Sequence, residues 1–275
     1  MNKFLIRQKE LPPASNWIDA ADTSWYDPSQ SSFTITTAEQ LAGLAKLVNS
    51  ETTFSDKTVR LANNIDLAGK EWTPIGDSDH FAGIFEGNNN TITNMTITGE
   101  VPNAGLFGGI DACAAAKNIR LTNMSIASSS LTSSHSGGVV GWNSGTVLNC
   151  TSSGSVSSYS DSYSGGVVGC NSGTVLNCTS SGSVSSSYSS SGGVVGLNGG
   201  TVTSCHKPVG RVSTATTEGL IFAGGVIGSN VDFLDEVLTE VSGNDFSLSA
   251  TGQSYGIGYD DRAGGDPSND GAPGY

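Results

Sequence analysis

Short apolar runs alternate with Gly pairs and hydroxyl-rich stretches through the middle of the chain. Residues 137–156, GGVVGWNSGTVLNCTSSGSV, recur at 165–184 with one difference, Trp142 against Cys170. A looser copy, GGVVGLNGGTVTSC, fills 192–205, so the pattern advances by 28 and then 27 residues. Self-similarity of this period marks a solenoid or array, in which each unit buries its apolar face only against its neighbours. Each copy predicts three short strands, around GGVVG, GTVLNC and GSVSS. Gly pairs form the corners, and Asn143, Asn171 and Asn198 share one turn position. The interior falls to Val147, Val156 and one of Val139 and Val140.

Upstream the period changes. In FTITTAEQLAGLAKLVNS, residues 33–50, Leu41, Leu44, Leu47 and Val48 lie at helical spacing, and Thr36 with Glu39 has the form of a capping box. This predicts an amphipathic helix that closes the exposed end of the stack. The stretches 58–69, 81–99 and 117–128 alternate with period two, and TITNMTI (91–97) must bend, because its two alternating sets cannot both be core. AGLFGG at 104–109 and AGGVIG at 223–228 extend the array to about six coils. The organisation expected is an N-terminal extension (1–32), a capping helix with first strands (33–80), a β-solenoid (81–258) and an acidic Gly/Asp-rich tail (259–275). The run 231–241 suits helix and strand equally.

Charge narrows the function classes. Twelve Lys and Arg against 25 Asp and Glu give a net charge of −13, which repels a phosphate backbone and argues against a nucleic-acid partner. No run approaches the roughly 20 apolar residues of a membrane helix. The opening apolar stretch, Phe4 to Ile6, is too short for a secretory leader, so none is expected in this sequence. Five cysteines without C-x-x-C spacing suggest neither a zinc site nor a disulfide scaffold. Cys150, Cys178 and Cys205 keep the repeat step and are expected to form a buried ladder of free thiols. Five N-x-S/T sequons, at Asn89, Asn94, Asn123, Asn149 and Asn177, follow the coil and fit turn chemistry.

GGVVGxNxGTVxxC resembles the GLUG motif of bacterial surface proteins. The upstream string, from FTITTAEQLAGLAKLVN through NNIDLAGKEWTPIG and FAGIFEGNNNTITNMTITG to GLFG, is similar to the region before that motif in adhesin-like proteins and some IgA-specific metallopeptidases. The resemblance implies an all-β fold, a right-handed parallel β-helix on or outside a bacterial cell. It brings no catalytic residues: His80, His135 and His206 lie far apart, and HExxH is absent.

Chemistry in the repeats is sparse. Between residues 121 and 210 the only carboxylate is Asp161, whereas glycoside hydrolysis needs two about 5–10 Å apart. The pair Asp77 and Asp79 beside His80 reads as loop charge. The tail residues Asp260, Asp261, Asp266, Asn269 and Asp270 are calcium-type ligands without an EF-hand order, so no metal or other cofactor is assigned. The candidate binding residues are Tyr159, Tyr163 and Tyr188, set among Ser and Gly in the corners. The expected function is non-enzymatic: an extracellular, adhesin-like or spacer solenoid with a Ser/Thr-rich surface and a host or cell-surface glycan or protein as partner. The alternatives are a self-associating filament or virion subunit, and a glycan-binding or glycan-cleaving β-helix.

Overall fold

The computed structural model describes residues 15–77, 79–130, 134–159, 162–187, 190–214, 223–230, 240–242, 245–246 and 255–257. Tyr188, the tail from 258 onward and residues 231–239 lie outside these. The chain winds as a right-handed parallel β-helix of about six turns, with three parallel sheets along its sides. In the best-repeated coil the first sheet receives Thr146–Leu148, the second Thr151–Ser158, and the third the pair Ser134–Gly137 and Val140–Asn143. Identical sequence gives identical register. Thr146, Val147 and Leu148 pair with Thr174, Val175 and Leu176, and these with Thr201, Val202 and Thr203.

The corner from the first to the second sheet shows why the sequons follow the coil. Asn118, Asn149 and Asn177 have φ of 55°, 55° and 53°, and Ser204 follows at 53°. Asn tolerates this left-handed backbone better than most residues. The amides also stack: Asn149 Nδ2 donates to Asn118 Oδ1 at 3.1 Å, and Asn177 Nδ2 to Asn149 Oδ1 at 2.8 Å. The bend expected in TITNMTI falls at Asn94, φ 59°, between strands Thr91–Thr93 and Thr96–Gly99.

Both valines of each Gly-Gly-Val-Val run are buried, so the choice between Val139 and Val140 does not arise. The amides of Val139 and Val140 both donate to Val167 O, at 2.9 and 3.1 Å. Register is kept on both sides, Gly137 on Gly165 and Val140 on Val168, so Gly138 and Val139 form a bend between the two strand pieces, and both valines lie in the core. The glycines serve a close approach. A Cβ at Gly141 would lie 2.9 Å from His135 O of the same rung, so the two strand pieces on the third sheet press backbone on backbone.

Core composition changes along the stack. Phe54, Phe81, Phe85 and Phe107 are fully buried near the start, with ring centroids 5.3 Å apart for Phe81 and Phe107. The repeats substitute Val, Cys and Ser. Ser134, Ser136, Ser158, Ser162 and Ser164 are buried, and Ser134 Oγ donates to Ser162 Oγ at 2.6 Å. Many serines of the repeats therefore fill an inner corner and do not line the outside; Ser134 pairs with Ser162 and Ser158 with Ser164, while the hydroxyl of Ser136 is buried without a partner among the described residues.

The helix predicted near 36–50 is α1, Ala38–Val48, and its Leu41, Ala42, Leu44, Ala45 and Val48 join the core. Its capping box lies one residue later than expected. Thr37, not Thr36, is the N-cap and accepts from Gln40 N, while Gln40 Oε1 accepts from Thr36 N and Thr36 Oγ1 at 2.9 Å each. Glu39 instead occupies the first turn, where a negative charge suits the helix dipole. Parallel pairing starts before residue 81, with Ser32–Ile35 on Thr58–Leu61. Part of the N-terminal extension belongs to the same body: Trp17 is buried, and Trp25 packs edge-on against Phe33.

Candidate functional site

The outer side of the third sheet carries a cluster of rings. His135 sits between the buried Ser134 and Ser136, so alternation turns it outward. Because the two strand pieces are pressed together through glycine, Trp142 on the second piece meets it, with ring centroids 4.8 Å apart at 87°. One rung on, Tyr163 pairs with His135 in register, and the rings stack at 6.0 Å and 14°. On the other side His135 pairs with Asn103, whose Oδ1 lies 2.9 Å from Nδ1 of the imidazole. All four residues are half-buried.

Electrostatically the cluster is neutral. Burial pushes the His135 imidazole down to about 4, so the ring is uncharged near neutral pH. With Nδ1 donating to the Asn103 carbonyl oxygen, Nε2 is the acceptor nitrogen. Trp142 Nε1 donates to Ser144 Oγ at 3.1 Å, which fixes the indole. His80 lies over Gly109, the register partner of Trp142, with its Nδ1 3.4 Å from Asp111 Oδ1.

Of the three tyrosines expected from the sequence, Tyr163 belongs to this cluster and Tyr188 lies outside the described residues. Tyr159 is 52% exposed at the rim of an open groove of about 500 Å³, lined by Ser128, Ser157, Ser185, Ser213 and Arg211. His135, Trp142 and Asn103 were not among the expected residues. The signal was present at the one mismatch between the copies. Trp142, Cys170 and Leu197 occupy one register column, and of these only Trp142 is not buried. The remaining differences between the first two copies fall in the segment that carries Tyr159 and Tyr163.

Elsewhere four of the five cysteines are locked inside, and Cys113 is exposed. Cys150, Cys178 and Cys205 are reduced thiols and fully buried, each 3.3–3.4 Å from the carbonyl oxygen two residues before it. Burial raises the Cys178 thiol well above its ordinary value and pushes Cys170 up to about 12, which keeps both protonated and unreactive. Lys207 is also buried, its Nζ donating to Gly182 O, and desolvation lowers it to about 8. Among the described residues no three His, Cys, Asp or Glu side chains gather as a metal site.

No family model matches the chain, and no curated protein does so. Among solved structures it is similar to a Bacteroides ovatus protein provisionally described as an immunoglobulin A1 protease. The two share 18% identity over 85% of each chain, with a TM-score of 0.51. That likeness extends to the fold.

Proposed function

We propose that this chain is the non-enzymatic β-helical body of a bacterial surface protein, adhesin-like in role, which holds a rigid neutral surface toward a host or cell-surface partner. The observation that carries the reading is the neutrality of the repeated rungs. Their first-sheet positions outside the core are Thr146, Leu148, Thr174, Leu176, Thr201 and Thr203, and Asp161 is the only carboxylate from 121 to 210. A hydrolase or lyase site needs paired acid and base groups within one cleft, and this surface supplies hydroxyls and rings instead. The stack supplies rigidity, because strands of successive rungs bond to one another and fix each outward position.

Beads coated with the full chain should attach to epithelial or bacterial cells above the level of albumin-coated beads. Absence of attachment across such a panel would overturn the reading. Incubation with immunoglobulin A1 tests the activity for which the structural neighbour is described. Cleavage fragments on a gel would replace a binding role with a peptidase. Light scattering of the purified chain should report a monomer, and long polymers would favour a filament subunit.

A further inference from the structure

We infer that Trp142, His135 and Tyr163 form a binding site for a neutral saccharide, which deepens the surface-protein reading and rests on it. The rings are fixed before any ligand arrives. His135 is held by both neighbours, in an edge-to-face contact with Trp142 at 4.8 Å and stacked on Tyr163 at 6.0 Å. Asn103 holds the imidazole through Nδ1, and Ser144 holds the indole through Nε1. A site whose side chains are already ordered loses little conformational entropy on binding.

The chemistry selects the ligand class. The faces of aromatic rings carry negative charge density and attract the weakly positive C–H groups of a pyranose ring. His135 Nε2, as acceptor, suits a sugar hydroxyl, and the Asn103 amide supplies a donor beside it. An acidic glycan is disfavoured. The cluster itself contributes no positive charge, because burial keeps His135 neutral, and the chain carries −13 overall. A folded protein partner fits less well, since a stable interface covers about 800 Å² per partner and three half-buried rings supply a small part of that.

The repeats give an independent pointer. Every backbone and core position is copied between 137–156 and 165–184, and the one position that differs is Trp142. Its counterparts Cys170 and Leu197 are buried, so the fold does not require a large half-exposed ring in this column. The same two columns hold His135 and Tyr163 beside Trp142 in a single place.

The test uses the full chain on a printed array of neutral oligosaccharides of galactose, glucose, mannose and N-acetylhexosamine, with sialylated and sulfated counterparts alongside. Affinities for those retained are then measured by calorimetry. Wild type should bind at least one neutral glycan. Trp142→Leu copies the residue already accommodated at Leu197, so it should keep the melting temperature while weakening binding at least about tenfold, the loss of one aromatic anchor. Tyr159→Ser, on the separate groove, should stay within about twofold of wild type. Binding of acidic glycans alone, no neutral binder on the array, or equal affinity in Trp142→Leu would each overturn the assignment. Cell attachment that persists in Trp142→Leu would remove the saccharide site from the adhesive role and leave the surface-protein reading standing.

Discussion

Asn143 Nδ2 donates to Asn171 Oδ1 at 2.6 Å, and both side chains are fully buried. The line continues with Asn171 Nδ2 to Asn198 Oδ1 and Asn198 Nδ2 to Asn230 Oδ1, each at 2.7 Å. Each amide also closes its own turn, since Gly145, Gly173 and Gly200 donate their N–H groups to Asn143, Asn171 and Asn198. In the preceding rung the register partner of Asn143 is Ile110, so the ladder has a defined first member.

That end makes a comparison within one protein. Asn143→Leu removes one ladder bond, whereas Asn171→Leu removes two and strands buried groups on both sides. A buried polar group left without its partner costs about 1–3 kcal/mol, and each variant also loses its own turn bond, so Asn171→Leu should lose roughly half as much stability again as Asn143→Leu. Urea unfolding of the two variants measures this, and equal losses would show that the ladder contributes little.

Deleting one whole period, residues 137–164, joins Ser136 to Gly165, the register partner of Gly137. The shortened stack should keep its fold and lose one interface between neighbouring coils. Deleting 137–150 joins Ser136 to Thr151 and removes Val139, Val140, Val147 and Cys150 from the core without replacement. Each lost apolar side chain costs about 1.5–3 kcal/mol, so the half-period variant should melt far lower. Comparable melting temperatures would contradict the coil boundaries.

Thiol reactivity should be divided by burial. Cys113 is exposed and the other four cysteines are buried, so native protein should react with a thiol reagent at one position per chain. Denatured under nonreducing conditions, it should release all five. Three or fewer would mean that Cys150, Cys178 and Cys205 are cross-linked.

Acid should weaken the ring cluster. The folded-state value of His135, about 4, lies below the ordinary 6.5, so between those values the unfolded chain binds the extra proton. Stability from this group is complete above pH 6.5 and is lost as pH falls toward 4, by up to about 3 kcal/mol. His135→Tyr, which copies Tyr163 one rung on, removes the titrating group. The difference in melting temperature between wild type and this variant should shift against wild type from pH 7 to pH 4.5. A constant difference would rule out the buried neutral imidazole.

The period, the strands around GTVLNC and GSVSS and the thiol ladder were legible because a solenoid repeats the same local decision at every rung, whereas GGVVG, expected as one strand, is a bend between two strand pieces. When Val147 and Val175 face the same neighbours, sequence identity and structural identity coincide. Corner chemistry was legible for the same reason, since Asn is suited to the left-handed backbone that Asn118, Asn149 and Asn177 adopt. The tertiary structure decided what the period leaves open. Whether a serine faces water or the inner corner depends on the bend at Gly138 and Val139, which sets the facing of the strand pieces on either side, and composition carries no sign of it. The helix cap moved from Thr36 to Thr37 because Gln40 reaches back past its own N-cap to Thr36. The ring cluster was hidden in another way. His135 and Trp142 are seven residues apart, a spacing that neither strand alternation nor the 28-residue step brings together. They meet because glycines let two strand pieces fold flat on each other, a contact fixed only once the backbone has closed.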